Sequence, residues 1–391
     1  MVRPRFAEIS TGEIMLEKNT MIKKMNEKSP TTYELLFGPA HPGSGNFSVK
    51  LRVSGEQVVS ARSDPGYLHR GFEKLMEYRD RMQNSILSDR VCVLEALNWN
   101  LVHAEAVDEL TGEEIPDKAR YIRVLMAELS RIQSHLIWYG ALSMGLGFDT
   151  GFKVAFGYRD YLLDIFELVT GGRVYPAGYI CPGGVRRDLP DSAKTKIEKT
   201  LDKMKIMLRK CENFEKTTLY PRTRGVGVLE RQDALRLGAT GPIARASGLY
   251  SDVRVDDPYE IYSELDFEIP TRDEGDAYAR CLLGRLEMRE SMRIIRQVLE
   301  RMPEEKLDPV KPKIAHKIPE GEVYVRNEIA RGEAGIYMKS IGEETPYRCK
   351  IRGPSLLHMI PVLEHLLAGC QIADVPAIYW SLNICPADMD R

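Results

Sequence analysis

The sequence predicts an α+β protein, a central helical bundle flanked by small antiparallel β-sheets drawn from both ends of the chain. Two patterns carry this reading. Apolar residues alternate with polar ones near residues 47–59 and again near 324–351, as half-buried strands require. Between these stretches apolar residues recur at three- and four-residue spacing, the stripe of an amphipathic helix.

Taken in order, residues 1–32 read as a polar N-terminal extension and 33–391 as one large domain. Phe47, Val49, Leu51 and Val53 alternate up to Ser54-Gly55, and Val58-Val59 follow, which predicts a hairpin with a Gly-containing turn. Ahead of it, Gly38-Pro-Ala-His41-Pro-Gly-Ser-Gly45 is too rich in Gly and Pro for regular structure. Helices are expected over Leu87–Leu110, Asp117–Gly140, Phe156–Val169, Asp191–Phe214 and Gly275–Met302, with Asp191 as an N-cap behind Pro190. Ile122, Leu125, Leu129, Ile132 and Leu136 form the apolar face of the second. Tyr337–Ser340 is expected to pair with Tyr347–Ile351 across a Gly-Glu-Glu turn, and a last helix lies near Ser355–Ala368.

Composition narrows the function. A chain of 391 residues with 43% hydrophobic content can bury a large core. A net charge of −2 points away from nucleic acid. No run of about 18 uncharged apolar residues is present. The best candidate, Leu356–Trp380, is interrupted by His358, Glu364, His365 and Asp374. The first thirty residues lack the pattern of a secretory signal, so any membrane link is expected to run through partner proteins. Seven scattered cysteines with no Cys-x-x-Cys do not form a disulfide framework and fit a reducing compartment. No Gly-rich nucleotide-binding motif is present, so NAD(P)H is not expected on this chain.

Two short motifs stand out. Cys92-Val-Leu-Glu95 falls in a predicted helix, where three-residue spacing puts thiol and carboxylate on one face. Cys385-Pro-Ala-Asp388 repeats the format near the other end of the sequence. Each has the form of Cys-x-x-Cys with its second cysteine replaced by an acid. From spacing alone the plainer reading is a buried, inert Cys92, an exposed Glu95 and a frayed C-terminus.

Longer motifs give these pairs a context. Gly38-Pro-Ala-His41-Pro-Gly, Tyr67-Leu-His-Arg70-Gly-Phe-Glu-Lys, Asp117-Lys-Ala-Arg-Tyr-Ile-Arg-Val-Leu, Cys181-Pro-Gly-Gly-Val, Arg224-Gly-Val-Gly-Val and Pro346-Tyr-Arg-Cys-Lys-Ile-Arg stand in continuous order. Together they resemble the quinone-site (49 kDa, or D) subunit of complex I. That subunit shares its fold with the large subunits of nickel–iron hydrogenases. The resemblance implies that Cys92 and Cys385 are the surviving first members of two metal-binding pairs. Glu95 and Asp388 then stand where metal-bridging thiolates belong. Carboxylates are harder ligands, so an intact nickel–iron centre is not expected. Alignment with complex I also puts Val93 at the position of its quinone-contacting tyrosine, while His41 matches its loop histidine. A third relative, the large subunit of membrane-bound sulfane sulfur (polysulfide) reductase complexes, is similar to hydrogenase without an intact metal site.

The resemblance therefore implies an electron-acceptor-site subunit of a ferredoxin-linked oxidoreductase acting on polysulfide. Cys92, Cys385, Glu95, Asp388 and His41 are its candidate site residues, with Arg391 or Arg70 as a positive neighbour for the thiols. It further implies a small partner subunit carrying a [4Fe-4S] cluster near Arg70, other peripheral subunits, an ion-translocating membrane arm with antiporter-like subunits, and a place on the cytoplasmic face of the membrane. No cofactor is expected on this chain alone. The alternatives are a quinone-reducing subunit of the 49 kDa (D) type and a non-catalytic coupling scaffold.

Overall fold

The computed structural model describes residues 22–24, 32–39, 46–310 and 316–391. His41 lies outside the described residues.

The N-terminal sheet is antiparallel in the order β1 (Ile22–Lys24), β2 (Thr32–Phe37), β3 (Ser48–Ser54) and β4 (Gln57–Asp64). Alternation fixes its faces: Val49, Leu51 and Val53 are buried while Lys50, Arg52 and Ser54 are exposed. The expected turn passes through Gly55 at φ 62°, a left-handed conformation that costs glycine little. The buried face packs on the C-terminal region through Leu363, Leu367, Ile378 and Tyr379. Backbone bonds from Val58 to the Cys370 carbonyl (2.9 Å) and from Gly369 to the Val58 carbonyl (2.7 Å) fasten the two ends of the chain together.

Helices α1 (Phe72–Met76), α2 (Arg81–Ser88), α3 (Ala96–Thr111), α4 (Asp117–Gly145), α5 (Asp149–Thr170), α6 (Ala193–Phe214) and α7 (Ala277–Arg301) build the bundle. The five apolar residues read from the α4 sequence are all fully buried at its centre. A tight hairpin, β5 (Ile180–Cys181) and β6 (Gly184–Val185), separates α5 from α6. The second large sheet comprises β7 (Gly321–Ile329), β8 (Gly332–Ser340) and β9 (Arg348–Arg352), with Met338 opposite Cys349. Pro361 sits in a π-helical turn, His358–Val362, inside the helical stretch after β9. Two short helices close the chain, α8 (Val375–Ser381) and α9 (Pro386–Asp390).

The sequence expectation fails at Leu87–Leu110, which is not one helix. The chain leaves α2 at Ser88, is extended at Cys92, and re-enters through a 3₁₀ turn at Val93–Glu95. Buried Asp89 accepts bonds from Asn100 Nδ2 and from the Gly178 N–H (3.1 Å). The Arg70 guanidinium takes the carbonyls of Arg90 (2.7 Å) and Val91 (3.2 Å). These bonds satisfy carbonyls that the break leaves without helical partners. Asp191 is not the cap of α6 either: Ser192 holds that position without a side-chain bond, and the Pro190 carbonyl accepts the Ala193 N–H at 2.8 Å.

Candidate functional site

Cys92 and Cys385 adopt nearly the same backbone conformation. Cys92 has φ −143°, ψ 114° and Cys385 has φ −128°, ψ 111°, and each is the extended residue just before a helical turn. Each carbonyl then accepts from three or four residues on, Glu95 N–H to Cys92 at 3.1 Å and Met389 N–H to Cys385 at 3.2 Å. Arg70 holds the two turns side by side, since its guanidinium also reaches the Ala387 carbonyl at 3.5 Å. Ser355 fixes the C-terminal turn by accepting the Cys385 N–H at its Oγ (3.0 Å) and donating its own N–H to Asp388 Oδ1 (3.3 Å). The two thiols come together with Sγ atoms 3.2 Å apart, residues that are 293 positions apart in sequence. Asp388 joins them: the two sulfurs and a carboxylate oxygen lie within 4.8 Å of one another, all buried.

Glu95 does not face this cluster. Its carboxylate is buried and fully engaged, accepting the Ala330 N–H at 2.6 Å and Arg331 Nη1 at 2.8 Å. The expected pocket of two thiols and two free carboxylates is therefore a three-residue cluster backed by a buried Glu95–Arg331 ion pair. Nor is Glu95 exposed, as the plainer sequence reading held.

Arg331 is the residue that sequence reasoning missed. It sits in the two-residue loop Ala330-Arg331 between β7 and β8, with Ile329 paired to Gly332. A hairpin tip normally meets solvent, yet here it is pressed into the core. Gly332 lies so close to Gly241 that a Cβ on Gly241 would stand 2.3 Å from its Cα. Arg331 also donates to Ser134 Oγ of α4 at 2.8 Å. The cation expected from Arg391 or Arg70 is thus supplied from elsewhere. Arg391 pairs with Glu73 at 3.1 Å, and the described bonds of Arg70 go to carbonyls. The one available signal was Arg-Gly at the end of a strand, which spacing rules do not single out.

The electrostatics split the pair. Burial pushes the Cys92 thiol well above its ordinary range, and the neighbouring Cys385 sulfur adds to this. Cys385 is drawn down to about 6, first by the hydrogen bond from Cys92 and then, against burial, by Arg331 and the Asp388 N–H. One proton is thus shared, with the charge on Cys385. Burial and that charge push Asp388 well above the carboxylate range, so it is held protonated. Its Oδ2 is buried without a hydrogen-bond partner. For Arg331, burial opposes the charge, but Cys92, Glu95, Cys385 and Asp388 outweigh it and keep the guanidinium charged. Cys385 is 6% exposed and Cys92 is 0%, so Cys385 is the solvent side of the pair. A surface cavity of about 470 Å³ lies at the end of α9, lined by His69, Lys74, Arg348, Leu356, Met389 and Arg391 among others; Cys385 is not among its lining residues.

These donors do not fit a nickel–iron centre. Such a centre needs four soft thiolates, two of them bridging. Here two thiols remain, one bridging position is a neutral acid, and the other is saturated by a guanidinium and a backbone N–H.

Two Cys-x-x-acid turns from distant parts of a helix-bundle chain meet at one buried site, and the chain's likeness is to the large subunits of nickel-dependent hydrogenases and complex I-like respiratory enzymes. The family model for the respiratory-chain NADH dehydrogenase 49 kDa subunit matches residues 145–317 and 312–391, and the nickel-dependent hydrogenase model matches 70–148. The chain is 42% identical to the D subunit of NADH-quinone oxidoreductase from Thermosipho melanesiensis, covering 92% of this chain and 99% of that one. It is 38% identical to the D subunit of F(420)H(2) dehydrogenase from Methanosarcina mazei, covering 97% and 100%. A solved chain of an archaeal membrane-bound sulfane sulfur reductase superposes with TM-score 0.88 at 44% identity, covering 92% and 99%. The chain belongs to the 49 kDa (D) subunit family of respiratory-chain NADH dehydrogenases. It is a complex I-like oxidoreductase subunit of a membrane respiratory complex. Among the described residues no helix is long and apolar enough to cross a membrane.

Proposed function

We propose that this chain provides the electron-acceptor site of a ferredoxin-linked membrane oxidoreductase, and that the acceptor is the sulfane sulfur of polysulfide. The observation that supports it most is the buried Cys92–Cys385 pair, 3.2 Å apart, with its charge on the more exposed sulfur. Likeness to the sulfane sulfur reductase chain points the same way. Quinone chemistry has less support, because Val93, an apolar side chain, stands where the complex I comparison expects a phenol.

The chemistry follows from the residues. The Cys385 thiolate attacks a terminal S–S bond of the polysulfide dianion. A Cys385 persulfide forms, that S–S bond breaks, and the shortened chain leaves with a proton from Asp388. Cys92 Sγ, already within attack distance, then attacks Cys385 Sγ. The Cys92–Cys385 disulfide forms, and hydrosulfide leaves with the Cys92 proton. Two electrons have passed from the cysteines to sulfur. Two electrons, which a partner subunit's iron–sulfur cluster would supply one at a time, and one proton would restore one thiol and one thiolate. A second proton recharges Asp388. Arg331 holds the thiolate form ready, and Glu95 holds Arg331. The complex would face the cytoplasm and pass the released energy to ion-translocating membrane subunits.

The test is hydrosulfide release from polysulfide by the purified complex with reduced ferredoxin, comparing the native chain with Cys385→Ala and Cys92→Ala. Loss of turnover in Cys385→Ala is expected. Full activity in both variants removes the thiols from the mechanism, and nickel and iron bound at this pair would overturn the reading.

A further inference from the structure

A second cavity, of about 350 Å³, opens between the C-terminal half of α3, the start of α4, β7 and the segment around residues 257–260. It shares no lining residue with the cysteine site. Five acids line it, Glu105, Asp108, Glu109, Asp257 and Glu260, against three cations, Arg120, Arg123 and Arg326. The cations are used internally: Arg123 bonds Asp108 and Glu260, both at 2.8 Å, Arg120 lies 3.7 Å from Glu260, and Arg326 bonds Asp257 at 3.0 Å. Two groups at its wall are left over. Asn327 is 2% exposed and its Oδ1 has no hydrogen-bond partner, while its Nδ2 faces the Glu105 carboxyl without closing a bond of normal geometry. Glu105 Oε1 is likewise buried and unpartnered. Unsatisfied buried polar atoms of this kind cost free energy unless a ligand completes them. Burial first, then the Glu260 charge, pushes the Glu105 carboxyl well above its ordinary range, and the neighbouring Asn327 amide offsets only part of this. With Glu105 protonated, four carboxylates still face three guanidinium groups, an excess of one negative charge, and Glu109 is the carboxylate without an ion pair among the described residues.

The missing ligand must donate to a carboxyl oxygen and to an amide oxygen beside that negative charge. An anion is excluded by the charge. A metal ion is not favoured, because among the described residues the carboxylates here do not converge as a ligand cluster. The rim has the make-up of a protein contact: Tyr324, an aromatic lining residue, is 48% exposed beside the Asp257–Arg326 pair. We propose that this cavity receives a basic side chain, arginine or lysine, projecting from a neighbouring subunit of the respiratory complex. Its guanidinium or ammonium hydrogens bond Glu105 Oε1 and Asn327 Oδ1, and Tyr324 covers its stem.

Hydroxyl-radical footprinting of Tyr324 in the full chain alone and in the assembled complex tests this. Oxidation of Tyr324 is expected to fall at least tenfold on assembly. Glu105→Gln and Asn327→Leu should each weaken retention of the chain in the complex roughly tenfold, read as a lower salt concentration for its release. Glu109→Lys, at the exposed mouth, should do the same without touching a buried group, and so serves if the buried variants fail to fold. Equal oxidation of Tyr324 in the two states, or retention indifferent to the Glu109 charge reversal, overturns the proposal.

Discussion

Replacing Arg331 with methionine separates the electrostatic account from a merely structural one. The guanidinium faces Cys92, Glu95, Cys385 and Asp388 together. Its loss leaves Glu95 buried with a single N–H donor, and breaking a buried pair from one side costs about 3–5 kcal/mol. The double variant Arg331→Met/Glu95→Gln should regain much of that, since no charge is left alone. The thiol responds as well. Cys385 lies at about 6 against an ordinary value of 9.0, a difference worth roughly 4 kcal/mol. The Cys92 bond is the larger contributor and Arg331 the second. Removing that cation raises the thiol, so the thiolate fraction at about pH 6 should fall. The assay is the alkylation rate of Cys385 by iodoacetamide against pH in the assembled complex, with Arg331→Lys as the charge-conserving control. An alkylation midpoint in Arg331→Met equal to that of the native chain would refute the role given to this cation.

Three further outcomes are expected. Asp388→Asn removes the protonated acid while keeping an isosteric group, so turnover should fall roughly a hundredfold with polysulfide affinity unchanged. In Gly353→Ala the new Cβ would stand 2.4 Å from the Asp388 carbonyl oxygen, so the C-terminal turn must shift and Cys385 alkylation should quicken. Acid should destabilise the fold through two buried histidines. Burial lowers His103 to about 4, and burial together with Arg352 lowers His358 to about 3. The unfolded chain takes up these protons below about pH 6.5 while the folded chain does not, so stability is full above that pH. It then falls by up to about 1.4 kcal/mol per pH unit for each histidine. Denaturant midpoints measured from pH 7 downward should show it, and His103→Gln should flatten the slope.

The strand and helix periodicities were legible because burial imposes them directly: β3 alternates as its sequence does, and the α4 stripe is the centre of the bundle. The break at Asp89–Cys92 was not legible. Apolar spacing runs straight through it, and the cause lies in Arg70, Asn100 and Gly178, which meet only in the folded chain. α5 begins at Asp149 rather than near Phe156, because Gly151 and Gly157 mask a helix start that packing against α4 enforces. At the site, kinship and the two Cys-x-x-acid motifs pointed to Cys92, Cys385 and Asp388. Spacing could not show that Glu95 turns away to a hairpin more than two hundred residues later, or that the tip of that hairpin carries the site's cation. His41, matched by resemblance to the complex I loop histidine, lies outside the described residues.

Cys92 and Cys385, on the proposed mechanism, act as a redox pair in place of a metal centre. The most direct measurement is thiol mapping by mass spectrometry of the reduced complex after one exposure to polysulfide without an electron donor. A Cys92–Cys385 disulfide is expected in the native chain, and in Cys92→Ala a Cys385 persulfide carrying one extra sulfur. Both cysteines recovered as free thiols from a complex that still releases hydrosulfide would contradict it.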